Sequence, residues 1–156
     1  MLERAKETTR KAQYTYIEYA RHADDLVVLI DAHPRHDWLL PAVMKRLREE
    51  FAKLDVEMNE EKSRILDLRQ GESFGFLGFD FRRTRSRRGV WRAQYTPKLQ
   101  KRTALLRKLK ETFRCFQSQP LDRVVELINP VVRGWIGCFA IGHSSRCFGF
   151  IKDWVE

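Results

Sequence analysis

A chain of 156 residues, 43% hydrophobic and 33% charged, has room for one core, or for one small domain with a neighbour. Its net charge of +9 is unevenly placed: residues 1–81 carry 13 Lys/Arg against 16 Asp/Glu, whereas residues 82–156 carry 17 against 5. That asymmetry directs the second half toward a polyanion, nucleic acid ahead of an anionic membrane surface. No apolar run approaches the roughly 18 residues that would argue a membrane span, and the charged start reads as no signal peptide. Cys115, Cys138 and Cys147 lack the close-paired spacing of a zinc site and read as reduced, buried, structural thiols of a cytoplasmic protein.

Residues 1–13, dense in charge, read as a short helix. From Tyr14 to Tyr19 and again from Leu26 to Ile30, aromatic and β-branched residues predict two strands of a hairpin. Asp24 and Asp25 sit at its turn. Two carboxylates on a rigid turn suit Mg²⁺, which keeps several waters and takes one or two protein oxygens beside phosphate oxygens. The competing reading is a plain solvated turn, because Asp favours turns for its side-chain bonds to nearby backbone.

Asp31 to Asp37 is a loop around Pro34, and Leu39/Leu40, Val43, Leu47, Phe51 and Leu54 then recur at helical spacing with a solvated outer face. Val56–Met58 and Ser63–Leu68 read as short strands either side of an Asn59 turn, and Gly71 marks the next turn. Phe74 to Phe81 reads as one aromatic strand in which Gly78 marks a bulge or a close approach, by a ligand strand or by tight packing. Arg82, Arg83, Arg85, Arg87 and Arg88 form a basic loop closing a hairpin with Val90–Tyr95. Five arginines at one turn repel unless an anion lies between them, and with Trp91, Arg92 and Tyr95 alongside they read as a nucleic-acid contact. Thr96-Pro97 reads as the opening of a helix carrying Lys98, Lys101 and Arg102. Three further helices follow, near 121–128, 130–141 and from 146, with Trp135, Ile136, Phe139, Phe148, Ile151 and Trp154 as core. The composition shift near Thr96 is the expected domain boundary.

The ordered set Asp24-Asp25, Asn59-Glu60-Glu61-Lys62-Ser63, Phe76-Leu77-Gly78-Phe79, Asn129-Pro130 and Arg133-Gly134-Trp135 resembles the second half of a bacterial group II intron-encoded reverse transcriptase-maturase. The resemblance implies an α+β fold: residues 1–95 as the C-terminal part of a polymerase palm, and 96–156 as an all-α thumb, or maturase-specific domain. It implies that Asp24 and Asp25 hold catalytic Mg²⁺ and that Lys62 protonates the leaving pyrophosphate. Phe76, Leu77, Gly78 and Phe79 would be primer-grip-like, and the basic hairpin and first thumb helix would follow a phosphate backbone. His22 departs from the family's usual Tyr or Phe and stands at a nucleotide-proximal place. The implied activity is RNA-directed DNA synthesis from dNTPs on an RNA/DNA primer-template, together with intron RNA binding. The family's first catalytic aspartate and fingers lie upstream of these motifs. The expectation is therefore a part inactive as a polymerase by itself, associating with an upstream half or with a second copy. The alternative is a noncatalytic RNA-binding maturase module that assists splicing.

Overall fold

The computed structural model describes residues 17–155. The expected helix over 1–13 and the strand residues Tyr14, Thr15 and Tyr16 lie outside the described residues. The chain is mixed α and β, with antiparallel sheets and four α-helices among the described residues, and divides between Ile65 and Leu66 into two compact units.

In the first unit, strands β1 (Ile17–His22) and β2 (Asp25–Ile30) form an antiparallel hairpin paired from Ile17↔Ile30 to His22↔Asp25. Side chains alternate across a strand, so Ile17, Val28 and Ile30 share one face. That face packs on helix α1 (Leu39–Lys53), where buried Ile17, Leu39 and Val43 form a small core flanked by half-buried Leu47. The outer face of α1 is solvated as expected. Arg46 bridges Glu49 and Glu50, Lys53 reaches Glu50, and Arg48 reaches Glu60, all as exposed pairs that stabilise little. Glu50 is held below the usual carboxylate range, first by its hydrogen bond from Lys53.

The strands expected at Val56–Met58 and Ser63–Leu68 do not form. Asn59 accounts for part of this: its carbonyl accepts from Ser63 N–H and its Oδ1 from Lys62 N–H, local bonds that compete with a ladder. Val56 and Ile65 stay exposed, so no burial favours an extended pairing.

The second unit begins with a clasp. Asp67 accepts from Arg69 through both the guanidinium and the backbone N–H, and these bonds lower its pKa to about 2. Strands β3 (Ser73–Phe76), β4 (Phe79–Arg85) and β5 (Trp91–Pro97) follow as a three-stranded antiparallel sheet in that order. The single strand expected over Phe74–Phe81 is thus a hairpin. Leu77 and Gly78 turn it with φ of +49° and +83°, the paired positive values of a type I′ turn. Gly78 is therefore a turn residue rather than a bulge, and it is also a close approach: a Cβ there would sit 3.3 Å from the Phe139 ring.

Thr96 and Pro97 close β5 instead of capping a helix. They pair with Asp80 and Phe79, and Lys98 N–H extends the ladder to Gly78 O. Helix α2 (Leu99–Cys115) then starts without a side-chain cap. Helix α3 (Leu121–Phe139) runs unbroken through Pro130, where two helices were expected. Proline in a helix interior removes a hydrogen bond and costs about 3 kcal/mol. Val124 and Ile128 before Pro130, with Val131, Val132 and Trp135 after it, all enter one core with Leu105, Leu109 and Ile151 of α2 and α4 (Ser145–Val155). Shared burial on both sides of the proline offsets the lost bond.

The composition shift at Thr96 is not a break in packing, since β5 and α2 lie in the same unit. Pro130 itself is exposed and fills no core space. Pro130→Ala is expected to raise the unfolding free energy by up to about 3 kcal/mol, read by urea denaturation followed by circular dichroism.

Candidate nucleic-acid interface

The acidic hairpin forms as expected, and its two carboxylates have different backbone settings. Asp24 occupies the two-residue turn with Ala23, while Asp25 is the first residue of β2, opposite His22. Cross-strand partners share a face, so His22 and Asp25 stand side by side on the face of the hairpin away from α1. All three are exposed. Ala23 adopts φ of +49°, a region that disfavours a side chain, and its carbonyl accepts from Arg21 Nε at 3.1 Å. Lys62 is exposed at the Asn59 turn, and among the described residues no hydrogen bond or ion pair joins it to Asp24 or Asp25. No cluster of three or more His, Cys, Asp or Glu suited to a metal occurs among the described residues. The donor set offered by the hairpin is two carboxylates, which fits an ion that completes its shell with water and phosphate.

The basic surface is denser than its parts suggest. From Arg82 through Lys110 the chain has no acidic residue. Within that run the structure sorts the cations. Arg82, Arg83 and Arg85 belong to β4 and not to a loop. Arg82 Nε donates to Gln94 Oε1 at 3.1 Å, Arg85 Nε donates to Gly89 O at 2.9 Å, and the Arg83 guanidinium lies 4.2 Å from the centre of the Trp91 ring. Arg87, Arg88 and Arg92 are exposed, and among the described residues they make no hydrogen bond or ion pair. On α2, Lys101 is exposed, whereas Arg102 turns inward and stacks 4.1 Å from the Phe150 ring centre. Burial raises the Cys147 thiol above its ordinary range, and the neighbouring Arg102 partly opposes that rise.

Beside the basic face an open groove of about 570 Å³ lies between the β3–β4 turn and helices α2 and α3. Leu77, Leu105, Trp135 and Phe139 line it, with Lys101 and Lys108 among its walls. The primer-grip-like residues therefore divide: Leu77 and Gly78 face this groove, while Phe79 packs 5.2 Å from the Phe139 ring. Sequence reading missed the groove, because it arises from α2 and α3 meeting the turn. It also missed the Arg83–Trp91 stack, which the hairpin register makes available by placing both on one face of the sheet. Cys115 and Cys138 are exposed, contrary to their expected burial; Cys138 lines the open groove.

These features define a strongly cationic surface carried on a small sheet and three helices. Residues 102–156, which span most of α2 and all of α3 and α4, match the family model of the group II intron, maturase-specific domain. This segment is thus similar to the maturase-specific domain of group II introns, in agreement with the resemblance carried by Asn129-Pro130 and Arg133-Gly134-Trp135. Comparison with curated proteins and with solved structures gives no match. No helix among the described residues is long and apolar enough to cross a membrane.

Left-handed backbone at an alanine costs about 1–2 kcal/mol. Ala23→Gly is accordingly expected to stabilise the β1–β2 turn by about 1 kcal/mol, read as slower amide hydrogen exchange at His22 and Asp25.

Proposed function

We propose that this chain is the palm-to-thumb portion of a group II intron-encoded reverse transcriptase-maturase. In this reading it binds intron RNA and primer-template through the β4–β5 hairpin and α2, and it supplies part of the catalytic site for RNA-directed DNA synthesis. The observation that carries the RNA-binding part is the acid-free run from Arg82 to Lys110, which leads into a segment matching a maturase-specific domain. Arg87, Arg88, Arg92 and Lys101 are the exposed cations best placed for phosphate, and Lys98 and Arg102 support the start of α2.

For the catalytic part, the support is an exposed carboxylate pair on an antiparallel hairpin. Asp24 and Asp25 would hold Mg²⁺, whose chemistry when bound is to neutralise charge on the phosphates of a dNTP. His22 shares a face with Asp25 and would border the nucleotide, and Lys62 is the candidate proton donor. A two-metal displacement needs ions about 3.5–4 Å apart and stabilises both attacking and leaving oxygens. One hairpin provides two carboxylates toward that arrangement, so the isolated chain is read as inactive and in need of a complementary palm segment.

Neutralising several phosphates releases counterions, so affinity for a group II intron transcript is expected to fall at least about a hundredfold between 50 and 200 mM salt. The double charge reversal Arg87→Glu and Arg88→Glu should lower the slope of log K against log salt by about two. A flat salt dependence would remove the reading. In a polymerase reconstituted with a complementary palm segment, Asp24→Asn is expected to abolish primer extension while leaving RNA affinity equal or slightly higher. Retained extension would reduce the chain to a noncatalytic maturase module.

A further inference from the structure

The outer end of the three-stranded sheet carries an arrangement that phosphate binding does not explain. Parity along β4 and β5 puts Phe81, Arg83 and Arg85 on one face together with Trp91, Ala93 and Tyr95. On that face Phe74, Phe81 and Tyr95 stack nearly parallel, with centroids 5.1 and 5.4 Å apart and interplanar angles of 8° and 17°. None of these rings is fully buried. Beyond them Trp91 keeps 49% of its surface exposed while Arg83 covers one side of its ring. A guanidinium over an indole fixes the ring plane by electrostatic attraction to the π face. What remains is a flat, oriented aromatic surface next to the turn that carries the exposed Arg87 and Arg88.

We infer that Trp91, braced by Arg83, is a stacking platform for an unpaired RNA base, with Arg87 and Arg88 of the adjoining turn taking the phosphates on either side of that nucleotide. The inference rests on the RNA-binding reading above and names its substrate class: a single-stranded segment rather than a helix. In a duplex the π faces of the bases are hidden in their own stack, so a flat ring gains nothing from it; an unpaired base offers its face at no such cost. Charge complementarity selects an anionic partner, because no carboxylate lies in the chain between Asp80 and Glu111, and RNA joins that charge to a flat base that a Trp ring can stack on. Tying Arg82 to Gln94 and Arg85 to Gly89 keeps the hairpin rigid, so the platform is set before the RNA arrives.

The test compares binding of a 12-nucleotide oligouridylate and of a 12-base-pair RNA duplex to the full chain by fluorescence anisotropy at fixed salt. Trp91→Ala is expected to weaken the oligouridylate by about 5- to 100-fold, as base stacking on an aromatic side chain requires, and to change duplex affinity less than twofold. Trp91→Phe should restore most of the loss, which separates stacking from a folding defect in the alanine variant. Equal losses on both RNAs, or no loss on either, would overturn the platform. A monomer shift in sedimentation with RNA binding unchanged would assign the ring to contact between copies and overturn it too. If Arg87→Glu with Arg88→Glu weakens RNA while Trp91→Ala does not, only the platform fails; if neither matters, the RNA reading fails with it.

Discussion

His143 N–H donates to Tyr95 O at 3.0 Å, and Tyr95 N–H is directed back at His143 Nδ1 at 3.4 Å. Tyr95 lies on β5, whose other edge is taken by β4, so its outward backbone groups would otherwise need water. The bend between α3 and α4 supplies both partners and acts as a one-residue continuation of the sheet. Gly142 makes this possible. It holds φ of +96°, and a Cβ there would collide with the Tyr95 ring. Beside it the Phe79 and Phe139 rings close the gap between sheet and helix. The basic hairpin and the lysine-bearing helix consequently belong to one compact body, and their cations keep a fixed spacing that a flexible tether would not give.

Much of this was legible in the residues. The 3.6-residue spacing of α1 and the β-branched run of β2 report one dominant force each, burial of a stripe and burial of a face, and both form where expected. The reading failed where two rules competed. Pro130 is a local helix breaker, but its neighbours share a core with α2 and α4, and packing outweighs the lost bond. Thr96-Pro97 has the chemistry of a helix start, yet ladder pairing with Asp80 and Phe79 claims both residues first. Val56–Met58 has strand composition but pairs with no strand among the described residues.

The candidate site was legible in kind and not in arrangement. Charge alone marks Arg82 to Lys110 as a candidate polyanion contact, because like charges at that density need a counterion. Which arginine does what is invisible until the hairpin is registered. Gln94, Gly89, Trp91 and Phe150 each hold one guanidinium, so fewer arginines are free than the sequence suggests, and on the hairpin the free, exposed ones are Arg87, Arg88 and Arg92. Asp24 and Asp25 were placed on a hairpin by pattern, but the asymmetry between a turn residue and a strand residue facing His22 appears only in the pairing.

Among the described residues each unit has its own buried cluster. Ile17, Leu39 and Val43 form the buried cluster of the first, whereas Leu105, Leu109, Val124, Ile128 and Ile151 form that of the second. Asp24 and Asp25 are thus tied to one core and the arginines of the β4–β5 hairpin to another, so a substitution that loosens one core acts first on one set of charges.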